Sequence, residues 1–190
     1  MVKHSRQLFG VKSAKLCSPP PTNLSACSTN RSEDQAMRWY LSNRADPEVR
    51  PLADRHYNRQ KIGSPQFAPP GRCLVLKTIP VDAFWITSWP FAQYIKHQWA
   101  GAWVCSAFRN EGKHRSSELI IEAVKATLAR WECPELGMIT FVDTQKVRNK
   151  RDFGYCYLCA GFKKVGFTKG GLLALQLHPA NMPTKELANP

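Results

Sequence analysis

Between Trp103 and Leu128 the apolar pattern switches from one period to another within a few residues, and this switch limits the possible folds more than any other feature. Trp103, Cys105 and Ala107 alternate with Val104, Ser106 and Phe108, the period of two that a strand requires. Leu119, Ile120, Ala123, Val124 and Leu128 then recur at helical spacing, with Ser116 or Ser117 as the expected N-cap and Glu118 in the first turn. A helix that follows directly on a strand presents unpaired N–H groups and a partial positive charge, which together attract anions. Arg109, Lys113, His114 and Arg115 crowd the same turn with positive charge. The pattern also describes an ordinary strand–helix connection with solvated basic residues.

The rest of the chain reads as further strands and helices around this unit. A strand is expected over residues 37–43. Asp46–Pro47 then supplies a capping carboxylate and a first-turn proline for a helix over 47–57, with Val49, Leu52, Ala53 and His56 on one face. His56 and Tyr57 close that helix and precede a Gly/Pro-rich loop, 63–71, long enough to form a lid. Two runs, 72–78 and 83–89, separated by a short Pro/Asp turn, predict a hairpin. After it, Trp89, Phe91, Tyr94, His97 and Trp99 form an aromatic loop that either stacks nucleobases or packs over a sheet edge. Residues 137–143 read as a buried strand with Asp143 at its C-terminal end, where open α/β sheets collect catalytic groups, although strand-end capping explains the residue as well. A helix over 153–160, a turn into 165–168 and a last strand over 172–177 follow. The expected fold is therefore α/β (α+β), a mixed and mostly antiparallel sheet flanked by helices. Residues 1–34 form a basic Pro/Ser-rich tail, expected to be disordered; 35–178 form one domain, and 179–190 a frayed end.

Charge narrows the partners. The 190 residues carry a formal net charge of +13, concentrated before Lys61 and between Lys146 and Lys169, which points to a polyanion such as DNA. Lys146, Arg148, Lys150, Arg151, Lys163 and Lys164 are the expected phosphate contacts. Seven cysteines, most of them within apolar runs, suggest free thiols in a reducing cytoplasm, and Cys156-x-x-Cys159 lacks the second pair that a zinc site needs. No secretory signal is visible, and no apolar run approaches the roughly 20 residues of a membrane span, so no membrane partner is expected. The oligomeric state stays open, a homodimer included.

The element order, with Tyr157–Leu–Cys–Ala–Gly161–Phe162, resembles the GNAT acyltransferase superfamily, whose last helix commonly ends in Tyr-x-x-x-Gly-Phe before a closing hairpin. The resemblance spans about residues 37–177. It implies that the loop Arg109–Asn110–Glu–Gly112–Lys–His114, with Arg115, Ser116 and Ser117, holds the diphosphate of acetyl-CoA or another acyl donor. It also implies that Tyr157 protonates the leaving thiolate. His114 stands where the family has a small residue, a departure that bears on donor binding. His56–Tyr57, Arg109–Asn110 with Ser116–Ser117–Glu118, Phe141–Val–Asp143 and the Tyr157 motif together are similar to the Mom-like branch of bacteriophage proteins. That branch modifies the exocyclic amine of adenine in DNA and so blocks restriction. The resemblance implies group transfer to an amine, with Asp143 or His56 as base, Tyr157 as acid and Tyr57 beside them. Two other readings fit the same residues: an acetyl-CoA-dependent N-acetyltransferase of a small amine or modified nucleotide, and a non-catalytic nucleic-acid-binding protein on the same scaffold.

Overall fold

The computed structural model describes residues 36–147 and 152–190; the 1–34 tail and Arg148, Lys150 and Arg151 lie outside them. Seven strands form one open sheet in the order β1-β2-β3-β4-β5-β7-β6. They are β1 (Tyr40–Ser42), β2 (Arg72–Lys77), β3 (Ala83–Trp89), β4 (Trp103–Asn110), β5 (Met138–Val142), β6 (Lys163–Phe167) and β7 (Leu173–Leu177). All neighbours pair antiparallel except β4 and β5, which are parallel and joined by the long helix α2 (Ser116–Arg130). Two short helices, α1 (Arg50–Asp54) and α3 (Tyr155–Cys159), complete the fold, which is the mixed, mostly antiparallel α/β architecture that the periodicity predicts.

Strand alternation divides the apolar residues between two faces. Leu74, Leu76, Trp85, Trp103, Cys105 and Leu175 point toward α2 and α3 and form the larger core with Leu119, Ile120, Ala123 and Val124. Val75, Phe84 and Ile86 point the other way and cover α1 through Val49, Leu52 and Ala53. Under α2 a buried polar relay satisfies groups that the core would otherwise strand. Trp85 Nε1 donates to Thr87 Oγ1, which bonds Thr127 Oγ1, which in turn bonds the Ala123 carbonyl.

Several elements differ from the sequence expectation. The first helix is five residues long because Asp46 shapes a turn ahead of it: its side chain accepts the Glu48 amide and its carbonyl accepts the Arg50 amide. Helix α2 takes Arg115 as N-cap without a side-chain bond, and Ser116 and Ser117 lie inside the helix. Residues 163–167 form a strand where a turn was expected. It is an edge strand on which Val165 is an extra residue, since Lys164 faces Leu175 and Gly166 faces Ala174. The expected frayed end is fixed instead. Asn189 pairs with Tyr40 beside β1, its backbone N–H donates to the Trp39 carbonyl, and its side chain reaches the Met37 and Trp39 carbonyls. Lys125 of α2 meets Glu186 at 2.8 Å.

Asn189→Ala removes the side-chain bonds to two carbonyls next to β1. It should lower stability by about 1–2 kcal/mol, read as a reduced urea midpoint at unchanged slope.

Candidate functional site

A bulge in β4 creates the site. Ile86 faces Ala107 and Thr87 faces Cys105, so Ser106 is an extra residue outside the β3–β4 register, and only its hydroxyl reaches β3, at Ser88 Oγ. One residue earlier the β4–β5 ladder ends, at Cys105 opposite Thr140. Both strands continue but no longer pair, and a cleft of about 680 Å³ opens between them, walled by Ala107–Asn110, Thr140–Val142 and α3. A second cavity of about 440 Å³ lies on the α1 face, lined by Phe67, Phe84, Phe141, Asn58 and Gln66 among others. The two share His56, Asn58, Cys105, Ser106, Ala107 and Phe141, so they meet through the gap.

Tyr157 stands at the vertex. Its motif is a helix stop: the Phe162 N–H donates to the Tyr157 carbonyl at 3.0 Å and the Gly161 N–H to the Leu158 carbonyl at 3.1 Å. Gly161 has a φ of +94°, and the Phe162 ring packs on the Tyr157 ring 5.4 Å away. These are the paired bonds and the apolar contact of a Schellman cap. The cap accounts for the Tyr-x-x-x-Gly-Phe spacing and anchors the tyrosine at the end of a short helix. Its hydroxyl meets Cys105 Sγ at 3.4 Å, within the first cleft. Burial pushes the Tyr157 hydroxyl well above its ordinary value, with the neighbouring thiols Cys105 and Cys156 adding to the shift. Burial also pushes the Cys105 thiol to about 12 and the Cys156 thiol to about 11. At neutral pH all three are neutral proton donors, and neither thiol is a nucleophile.

His56 and Tyr57 come from the segment after α1. Their rings stack with centroids 4.6 Å apart, and the backbone of Asp143, just past the end of β5, faces the Tyr57 hydroxyl. Burial, with the positive charge of Arg109, pushes the imidazole of His56 down to about 4, so it is neutral at pH 7. Its Nδ1 accepts the Asn58 amide at 3.2 Å, which leaves the proton on Nε2. In this tautomer His56 braces the wall shared by the two cavities and has no free lone pair with which to take a proton.

Asp143 does not line the cleft. Its carboxylate accepts the Gln145 amide at 3.0 Å and meets Lys146 at 3.5 Å, while its carbonyl accepts the amides of Lys146 and Val147. The geometry is that of strand-end capping, because the side chain folds back onto its own loop. Lys146 is drawn into the same turn. Lys164 meets Asp152 at 2.7 Å, and the Lys163 side chain is exposed on β6. Of the expected aromatic wall, Trp99 is buried and supports Phe141 together with His97, while Phe91 and Tyr94 remain exposed.

The β4–α2 loop is shaped by Asn110. Its Nδ2 donates to the His114 carbonyl and to Ser116 Oγ, and its Oδ1 accepts the Gly112 amide. The backbone N–H groups of residues 113–117 find no partner among the described residues, and the same segment carries Lys113 and Arg115, the latter 3.9 Å from Glu118. His114 is held aside: its Nδ1 meets Arg38 at 3.3 Å, and Arg38 also binds Glu118 and Glu122 on α2. At Gly112 a Cβ would run into the Asp82 side chain, so the position is tight whatever the loop holds. Arg109 is also engaged, with Glu111 and with the Arg55 carbonyl, and hydrogen bonds from Arg55 and Arg109 hold Glu111 at about 2.

Sequence reasoning found Tyr157, His56, Tyr57, Arg109 and Asn110 on or beside the cleft. It missed Cys105 and Thr140, for which alternation signals only a core strand, and Arg38, which carries no local motif; Phe141 entered only through the Phe141–Val–Asp143 motif. Compared with protein-family models, curated proteins and solved structures, the chain has no significant match.

Because the folded-state value of His56 is depressed, the unfolded chain takes up its proton first as pH falls. Stability from this group is complete above about pH 6.5 and is lost as pH drops toward 4, on the order of 2 kcal/mol after allowance for partial exposure. Urea melts from pH 7 to pH 4 should show this decline, and His56→Gln should flatten it.

Proposed function

We propose that the protein is a GNAT-like transferase that moves a group from a donor held in the first cleft to an amine, and that the amine belongs to a DNA base, as in the Mom-like proteins. The observation that carries the reading is Tyr157: a buried hydroxyl held in its neutral form at the point where two parallel strands part. A proton donor at the inner end of a cleft is what a reaction expelling an anionic leaving group requires.

An acyl thioester, when bound, supplies the electrophilic carbonyl. The residues present fit such a donor at its anionic end. Five consecutive unpartnered amides, two flanking cations and an imidazole drawn aside by Arg38 leave room for a diphosphate despite the His114 substitution. Asn110 orients that loop, and Tyr157, buried at the inner end of the cleft, gives its proton to the leaving group. The acceptor amine enters neutral, as nucleophilic attack demands; neither Asp143 nor His56 is arranged to deprotonate it, so as the nitrogen–carbonyl bond forms and the carbon–sulfur bond breaks, the proton the amine gives up restores the Tyr157 hydroxyl and the thiol departs neutral. The net charge of +13 supports a nucleic-acid acceptor, with Lys113 and Lys163 among the exposed cations available to phosphates.

The test is mass spectrometry of nucleosides from plasmid DNA of cells expressing the protein. A new nucleoside is expected, absent when Tyr157→Phe is expressed and still present with Asp143→Asn, whose carboxylate serves its own loop. Unmodified DNA in the presence of soluble, folded protein would defeat the reading. Lys113→Ala and Lys163→Ala should each reduce the salt slope of DNA binding by about 1.

A further inference from the structure

We infer that the second cavity is the acceptor pocket, and that its occupant is a single nucleobase turned out of its strand rather than an aliphatic ammonium. The inference rests on the transferase reading and adds to it the acceptor site and its chemistry.

The pocket lies on the α1 face of the sheet and reaches the donor cleft only across the bulged segment of β4, at Cys105, Ser106 and Ala107, with His56, Asn58 and Phe141 at the rim. A group entering it therefore meets the first cleft at the level where the β4–β5 ladder ends. Its walls are aromatic. Phe67 and Phe141 are half-buried and fixed from behind, Phe67 by the edge of Phe84 at 6.3 Å and Phe141 by His97 at 5.1 Å and Trp99 at 5.8 Å. A planar base stacking on such rings gains about 1–3 kcal/mol.

The polar groups select further. The side-chain amides of Asn58 and Gln66 find no partner among the described residues, and a carboxamide matches the paired donor and acceptor of a base edge. Carboxylates are absent from the described lining. Its one cation, Arg59, is spent on Asp54 and on the carbonyls of Ser64 and Gln66. An ammonium group would lose its hydration here and meet no opposite charge, so polyamines and lysine side chains are disfavoured. A neutral heterocycle bearing an exocyclic amine has both stacking faces and hydrogen-bonding partners. In a duplex, such a base reaches a recessed pocket only after leaving the stack.

The experiment is fluorescence anisotropy of the full chain with two labelled duplexes, one fully paired and one with a single mismatch that makes extrusion cheaper. The wild-type protein should bind the mismatched duplex about tenfold more tightly. Phe67→Ala should abolish that preference while leaving affinity for the paired duplex within about twofold. Gln66→Leu, at an exposed position, gives a second reading should Phe67→Ala fail to fold; it should reduce the preference at least threefold. Equal binding of the two duplexes by the wild type would overturn the inference. So would a preference that survives in every folded variant, which would leave the DNA reading intact and move the base elsewhere. Failure to bind either duplex would overturn both this inference and the DNA reading, and calorimetric binding of spermidine would then point to a small cationic acceptor.

Discussion

One surplus residue governs this molecule. A sheet whose neighbours stay paired along their length has no interior opening, and its strand ends offer only loops. By inserting Ser106 opposite the Ile86–Thr87 step, the chain bends β4 where its ladder with β5 stops, and a gap forms inside a seven-stranded sheet. The gap costs backbone hydrogen bonds on both lips. Packing on the two faces compensates for that loss: α2 and the tryptophan-rich core on one side, α1 with Phe84 and Ile86 on the other.

The acid–base character of the site follows from the same geometry. Tyr157 reaches the vertex because α3 stops abruptly after one turn, and the stop is written in Gly161 and Phe162. Burial then favours the uncharged form of every ionisable group at the vertex. Raised hydroxyl and thiol values and a lowered imidazole value are opposite shifts that share their largest cause, the poor solvation of charge between the strands. The charged residues stand at the rim, where Glu111 ties Arg55 to Arg109 and Arg38 links His114 to α2.

Much of this was legible in the sequence. Alternation located β2 to β5 within one or two residues, and helical periodicity located α2, because these elements are buried on at least one face and their patterns report it. Edge elements were less legible. Lys163, Lys164 and Gly166 carry no apolar alternation, so β6 resembled a turn, and Asn189 had no reason to be noticed before its partners were known. At the site, Tyr157 was legible because a local cap fixes it. Asp143 was misleading because a carboxylate at a strand end serves catalysis and loop closure with the same residue type. Phe67 and Phe141, 74 positions apart in the chain, become neighbours of one cavity only through the sheet order.

The two outer edges of the sheet are finished differently from its interior gap. Asn189 closes off β1, while the bulge at Val165 and the two preceding lysines spoil β6 as a template. Sheets left open at the margins recruit further strands from other chains and grow into aggregates. Here the margins are blunted, so colloidal stability is separated from the unpaired backbone within the cleft. An extended segment of another chain would therefore find unpaired strand backbone inside the cleft rather than along either margin.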